Sequence, residues 1–526
     1  MSKYAGGALF LLIGVVVLVA SHDFMGAPMV SNDAVQYLDA AEHLVAGDCF
    51  CTTLAHFDEQ IGVGHMPVPF THFAPGYPLL IAAFMRLGVK PELAGYVISA
   101  VSYLLTLVLF WYIGKALRID SWVLLAFGLL WATNSIVIVF ADSLSTEALF
   151  TAILLAIAAV MIADINMEGR RPALLLAIGI LAGAAYWVRY PGLFVVPGTV
   201  LFLLWRCWKT RRSWPWVLAG LAAASGECLA IMLRNYRLIG SWRGGFSAGQ
   251  GHSIKFIVVE SVKAFYHIAF GDRVVAHLNI WAILFLCSFV AAVALAVLAW
   301  RSGRAAELPP NFALLAGWPA LLVAIYGAGI IYAAMHSIAS DLGRYYFPAY
   351  PLVLAILAAA TLAHKTLEKA VLTVLVIAVL AVHSRSLLTK PNPPLIADVQ
   401  RVFSEDVKPG DSLGQWLAGH VSRKDVLIAV NGQAVHYILQ RPVVSMIQPI
   451  YSDHVYDDAG FHALMAQFGA RYVLLFPGST LTPEQDEIPF LHALAAGSYP
   501  PWLSVAAKTR DATLYECGDC ALSRLR

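Results

Sequence analysis

Charge is what this chain has little of. Asp, Glu, Lys and Arg make up 13% of its 526 residues, where soluble domains carry about 25%. Hydrophobic residues reach 59%. That balance excludes an ordinary soluble globular protein and points to an integral membrane protein. Other absences narrow the reading further. No basic run is interleaved with aromatic residues, so a nucleic-acid partner is excluded. There is no phosphate-binding loop and no glycine-rich dinucleotide fingerprint. His65 and His72 have no companions at metal-ligand spacing, so no zinc site is expected and no cofactor is assigned. Ionisable groups are rare inside the apolar runs. Glu227 is the clearest, the run 279–300 has no charged residue and the run 92–114 has only Glu92, at its first position, which argues against a transporter of lipid-linked sugars.

What the chain does have is apolar runs of spanning length. A bilayer crossing takes about 20 such residues, and runs near 5–21, 92–114, 121–141, 143–163, 172–189, 191–207, 214–234, 279–300, 312–334, 346–363 and 369–388 meet that need. About eleven transmembrane helices are therefore expected. The first run, with Lys3 before it and Ala20 and Ser21 after it, has the form of a signal peptide. We read it as a retained first span, because so many spans follow. Thirteen Lys and Arg residues fall in one set of short loops, against only Arg189 and Arg344 in the other. The basic set is cytoplasmic by the positive-inside rule. The 22–91 loop, the 235–278 loop and the tail then lie outside.

The tail changes character after "KPNPP" (390–394), a stiff linker. "DVLIAV", "RPVVSM" and "RYVLLF" read as strands, "AVHYILQ" and "AGFHALMAQF" as helices, and "WLSVAAK" with "ATLYEC" as a closing hairpin. The expected organisation is a transmembrane domain over 1–390 and a separable α/β domain over 391–526. Of seven cysteines, Cys207, Cys228 and Cys287 lie in apolar runs and read as core residues. Cys49, Cys51, Cys517 and Cys520 lie on the outer side. A disulfide Cys517–Cys520 is expected, with cross-pairing to Cys49 or Cys51 as the competing arrangement.

Four polar stretches border the spans. "SNDAVQYLDAAEHLVAGD" (31–48) reads as an amphipathic helix ending at Gly47. Ser31, Asn32 or Asp33 would cap it, and Asp33 has two competing readings, helix cap or catalytic base. "HFAPGYPLLIAAFMRLG" (72–88) starts with a Pro/Gly turn and continues as a helix too short to span, so the outer loop holds two helices lying along the membrane. "LRNYRLIGSW" (233–242) brings Arg234 and Arg237 to the outer end of a span, where simple snorkelling also accounts for them. "SDLGRYYFPAYPL" (340–352) puts Arg344 at a span mouth beside Tyr345, where an aromatic belt is equally ordinary. Asp142 reads either as a site residue or as the N-cap of the fourth span.

With "ADSLSTEALFTAILL" at the turn between the third and fourth spans, these stretches resemble the membrane glycosyltransferases of the GT-C superfamily. The similar branch comprises bacterial polyprenyl-phosphate-sugar transferases. It includes the aminoarabinose transferases of lipid A, the Rhizobium galacturonosyltransferases and relatives of the protein O-mannosyltransferases. The motifs stand in the family's order over about residues 1–390. Where the family often shows two adjacent acids, Asn32 and Asp33 stand here, which leaves metal dependence open: a divalent metal is possible but has no clear ligand set.

The resemblance implies transfer of a monosaccharide from a polyprenyl-phosphate donor to an envelope glycan, lipid or protein acceptor, with inversion at the anomeric carbon. It places the enzyme in a bacterial inner membrane with its site and tail on the periplasmic side. An O-antigen ligase or polymerase using a diphosphate-linked donor is the rival reading, against which the Asp-led first loop argues. Such a transfer needs a base for the acceptor hydroxyl and cations for the departing phosphate. Asp33 is the implied base. Arg344, Arg234 and Lys255 are the implied phosphate ligands, with Arg189 and Arg243 behind them. Tyr37, His72, Tyr77, Asp142, Glu147 and Tyr345 are the implied sugar or acceptor contacts.

Overall fold

The computed structural model describes residues 3–25, 29–56, 66–210, 214–244, 251–270, 311–336, 342–360, 395–446, 457–476, 489–518 and 520. Helix α1 (Lys3–Met25) leads into α2 (Asn32–Ala46), strands β1 (Cys51–Thr52), β2 (Leu54–His56) and β3 (Val68–Pro69), and α3 (Gly76–Arg86). Next come α4 (Pro91–Ala116), α5 (Ser121–Ala132), α6 (Ser135–Ala141), α7 (Thr146–Asn166), α8 (Ala173–Val188), α9 (Val195–Lys209), α10 (Trp214–Ile239), α11 (Ile254–Phe270), α12 (Phe312–His336), α13 (Leu342–Tyr346) and α14 (Tyr350–Ala360). The tail contributes α15 (Leu395–Phe403), β4 (Asp406–Lys408), β5 (Asp411–Ser412), α16 (Leu413–His420), β6 (Val426–Val430), α17 (Gly432–Leu439), β7 (Val443–Met446), α18 (Asp458–Phe468), β8 (Ala470–Leu475), α19 (Pro489–Ala495), β9 (Leu503–Lys508) and β10 (Thr513–Cys517).

Two compact units result. The first holds Met1–Pro28, Gly95–Ile231 and His252–Pro391, and the second holds Met29–Ala94, Met232–Gly251 and Asn392–Arg526. Six stretches among the described residues are long and apolar enough to cross a membrane: Pro91–Ala116, Thr146–Asn166, Tyr190–Lys209, Trp214–Ile239, Phe312–His336 and Leu342–Ala359. Helices α5 and α6 make a seventh if counted as one span bent by 66°. The apolar parts of α1 and α8, Gly6–His22 and Ala173–Val188, are shorter. The expected spans 279–300 and 369–388, with Cys287, lie outside the described residues.

Local chemistry explains both the bend and the tight packing. At the α5–α6 break Asn134 caps the second helix, its Oδ1 accepting from the amides of Ile136 at 2.9 Å and Val137 at 3.3 Å, while its amide nitrogen donates to the Ile268 carbonyl. A buried Asn that satisfies a fresh helix start makes a break tolerable in a low-dielectric bundle. Helices α8 and α10 meet backbone to backbone. A Cβ built on Gly179 would stand 2.0 Å from the Gly220 carbonyl oxygen, so only glycine fits this crossing.

The second unit is built on a mixed six-stranded sheet of order β2-β7-β6-β8-β10-β9. Strands β2, β7, β6 and β8 run parallel, and β10 with β9 closes the sheet as an antiparallel hairpin. Every residue of β6 and β7 is buried, as expected for parallel strands covered on both faces. The period-2 rule then sorts the cores. Val426, Ile428 and Val430 join one apolar cluster with α18 and α19. Leu427 and Ala429 join the other, with α15, α16, α17 and Val35 of α2. The strands and helices expected in the tail stand where the sequence pattern puts them, while α15, α16, α19, β4 and β5 are additions to it.

One strand comes from elsewhere. Strand β2, from the first loop, pairs in parallel with β7, with Leu54 opposite Val443 and His56 opposite Ser445. The unit resumes at Asn392, beside the expected boundary, yet it also takes in the whole 29–94 loop. Two local disulfides, Cys49–Cys51 and Cys517–Cys520, join the cysteines expected on the outer side, and no cross-pairing occurs.

Candidate active site

The first unit gathers its chemistry around Glu147, on the first turn of α7. Its side chain is fully buried and faces two guanidiniums: Arg189 at 2.5 Å and Arg344 as a second ion pair. Arg189, at the C-cap of α8, also donates to Thr146 Oγ1 at 2.9 Å and lies over the Tyr345 ring at 5.6 Å. The Tyr345 carbonyl accepts from the Tyr326 hydroxyl at 2.7 Å, which ties α13 to α12. Arg189 and Glu147 are almost fully enclosed, whereas the Arg344 side chain is 30% exposed. A carboxylate out of water is stable only when paired. Two cations on one anion leave these three groups with one positive charge, in surroundings that screen little. Glu147, expected to touch sugar or acceptor, is ion-paired with both arginines.

Asp142 lies nearby in sequence and is also fully buried, its Oδ1 3.0 Å from His22 Nδ1 of α1. Its Oδ2 has no hydrogen-bond partner among the described residues. The capping reading for Asp142 does not hold, because the N-cap of α7 is Ser145 and Asp142 ends α6.

In the second unit, α2 begins with Ser31 as its N-cap, the hydroxyl accepting from the Ala34 amide at 3.3 Å, and ends on Gly47 at φ 81°. Capping is thus the work of Ser31. Asp33 sits in the first turn, half-buried, and capping does not account for it. Tyr37 and Tyr77 do not line an open surface. Both are buried, their rings 5.3 Å apart and edge to face, with Phe73 5.0 Å from Tyr37. They hold α2 and α3 together. His72 is half-buried beside the Phe73 ring. Arg234 donates to the Phe70 carbonyl at 2.7 Å and to Asn235 Oδ1 at 3.1 Å, and lies over the Phe50 ring at 5.0 Å. These contacts tie it to the first loop. Lys255, in the first turn of α11, is exposed.

Sequence reasoning missed a second buried cluster in this unit. Asp39 of α2 accepts from Thr52 Oγ1 at 2.5 Å and from the Thr53 amide and hydroxyl at 2.7 and 3.1 Å. It faces His436 Nε2 of α17 at 3.4 Å and His43 Nε2 at 3.6 Å. Burial alone would raise its pKa, but the bond and charge of His436, with Thr52 and His43, hold it down at about 2. Burial would lower His436, yet Asp39 and the Arg441 carbonyl raise it above its ordinary value. Glu42 is pushed up by burial and by the charges of Asp39 and Glu92. No sequence signal marked this cluster, because Asp39 lies off the apolar stripe of Ala34, Leu38, Ala41 and Val45.

Comparison with known proteins places the architecture. Residues 72–226 match the family model described as dolichyl-phosphate-mannose-protein mannosyltransferase. No curated protein sequence matches the chain. Among solved structures, the chain is similar to ArnT from Cupriavidus metallidurans bound to undecaprenyl phosphate, at 15% identity, 98% of each chain covered and TM-score 0.55. It is similar to the Archaeoglobus fulgidus oligosaccharyltransferase at 12% identity, covering 90% of this chain and 68% of that one, TM-score 0.51. It is also similar to the mycobacterial arabinofuranosyltransferase AftD at 13% identity, covering 97% and 41%, TM-score 0.53.

Proposed function

The chain has the fold of the GT-C glycosyltransferases, and on that premise we propose that it moves a monosaccharide from a polyprenyl-phosphate donor to an envelope glycan, lipid or protein hydroxyl at the outer face of a bacterial inner membrane. The observation that carries the reading is the Glu147–Arg189–Arg344 cluster. A lipid phosphate needs a cationic site near the end of a span, fixed by structure rather than by floppy side chains. Glu147 supplies that rigidity, and Arg344, the more exposed guanidinium, makes the phosphate contact with Arg189 behind it.

In the reaction the acceptor oxygen attacks the anomeric carbon as the carbon–oxygen bond to the donor phosphate breaks. The acceptor's proton passes to Asp33, and the polyprenyl phosphate leaves with the bond's electron pair. The residues described include no closed set of metal ligands beside Asp33, and the proposed step uses none. Asp142, with one carboxylate oxygen unpartnered among the described residues, and Tyr345 are the proposed sugar contacts. The test is transfer from a synthetic short-chain polyprenyl-phosphate sugar by the purified chain in lipid nanodiscs, with a diphosphate-linked donor in parallel. Turnover with the monophosphate supports the reading, and turnover with only the diphosphate overturns it.

A further inference from the structure

The α/β sheet has no established part in the reaction, yet its α17 carries a buried histidine turned toward the helix that bears Asp33. The ring of His436 lies between two acceptors. Its Nδ1 is 2.6 Å from the Arg441 carbonyl oxygen, which can only accept, so this nitrogen carries a proton. Its Nε2 is 3.4 Å from Asp39 Oδ1, a carboxylate that already receives Thr52 and Thr53. Both ring nitrogens therefore donate, and the ring is an imidazolium, buried and paired. Such a pair is costly unless its geometry is fixed, and here every partner is fixed. Thr52 and Thr53 adjoin β2, which the sheet binds through β7. Val35 of α2 is fully enclosed in the apolar cluster on the sheet face that carries α17.

Asp33 and Asp39 share one short helix. Six residues of α-helix rise about 9 Å and turn the side chains roughly 120° apart. Asp39 can therefore be locked inside while Asp33 stays half-exposed, and a helix this short moves as a rod. We propose that His436 is a positioning residue for the transfer reaction: through Asp39 it fixes the rotation and placement of α2, and so the placement of the Asp33 carboxylate. This rests on the reading of Asp33 as the base. The groups facing the pair are Glu42 and His43 on α2, Asp48 beyond it, Glu92 at the start of α4, bonded by the Tyr437 hydroxyl at 3.3 Å, and Arg441. Of these, His43 also faces Asp39, at 3.6 Å, but from α2 itself.

The experiment compares His436→Ala, His436→Gln and Asp33→Asn in the full chain in nanodiscs. It reads amide exchange over residues 32–46, donor Kd, KM and kcat. His436→Ala should speed exchange in α2 by about tenfold or more. It should lower kcat by up to about a hundredfold through misplacement of the base, while donor Kd stays within about twofold of the parent. His436→Gln, whose amide can still donate to Asp39, should recover part of both. Unchanged α2 exchange, unchanged kcat, or a loss of donor affinity matching the loss of kcat would each overturn the proposal. A fully active Asp33→Asn would overturn the base assignment instead, and the α2 exchange in His436→Ala would still decide whether the clamp exists.

Discussion

Arg344 and Arg189 share the carboxylate of Glu147, so the two cations most suited to an anionic donor are held by one buried anion from another helix. Removing that anion should be worse than removing either cation. Glu147→Gln removes the buried carboxylate that both guanidiniums share, a loss of about 3–5 kcal/mol. We expect a clear drop in the thermal stability of the detergent-solubilised chain. A melting temperature equal to the parent's would show that the cluster is not structurally coupled.

Arg344→Ala should weaken donor binding far more than folding. A charged hydrogen bond to phosphate contributes about 1.5–3 kcal/mol, so donor Kd should rise about tenfold or more. Arg344→Lys should recover part of it, because Lys keeps the charge but not the fork. Equal donor affinity in all three proteins would move the phosphate elsewhere, with Lys255 next to test.

Asp33 and Ser31 separate catalysis from capping on one helix. Ser31→Ala removes the cap seen here and should cost about 1 kcal/mol of stability while leaving turnover near normal. Asp33→Asn keeps the cap and should lower kcat by about 10²–10⁴, with donor binding intact. Reversal of the two outcomes would return Asp33 to a structural role.

The Asp39–His436 pair gives the second unit a pH window. Asp39 titrates at about 2 in the folded chain, so its contribution is present above its unfolded value, about 3.9, and is lost as pH falls through 2. His436 is raised above 6.5, so its contribution is complete below about 6.5 and is lost as pH rises through the folded value. The stabilising effect should thus be full between about pH 4 and 6.5. Melting curves of the parent and His436→Gln should differ most in that window and converge on the alkaline side. A difference that grows above pH 8 would contradict the sign.

Truncation after Pro391 tests the unit boundary. The Pro-rich linker reads as the edge of a dispensable tail, but β2 pairs with β7 and Val35 is buried in the tail's own core. The shortened chain should lose the protease resistance of residues 29–94. An unchanged cleavage pattern in that loop would restore the reading of an independent tail.

The sequence by itself determined whatever rests on local periodicity. Apolar runs of spanning length become helices wherever they lie among the described residues, and "VLIAV", "VVSM" and "RYVLL" become strands because their apolar residues suit a sheet covered on both faces. Gly47 ends α2 as expected, because a left-handed cap favours glycine. Tertiary structure decided the rest. "LAH" at β2 is too short to show a period, and it becomes a strand only because β7 offers an unpaired edge. The burial of Tyr37 and Tyr77 against each other follows from the packing of α2 on α3. The meeting of Asp39 with His436, and of Glu147 with Arg344, has no local signal. Coulombic pairing depends on distance in space, and residues so far apart in the chain acquire that distance only when the helices and sheet pack.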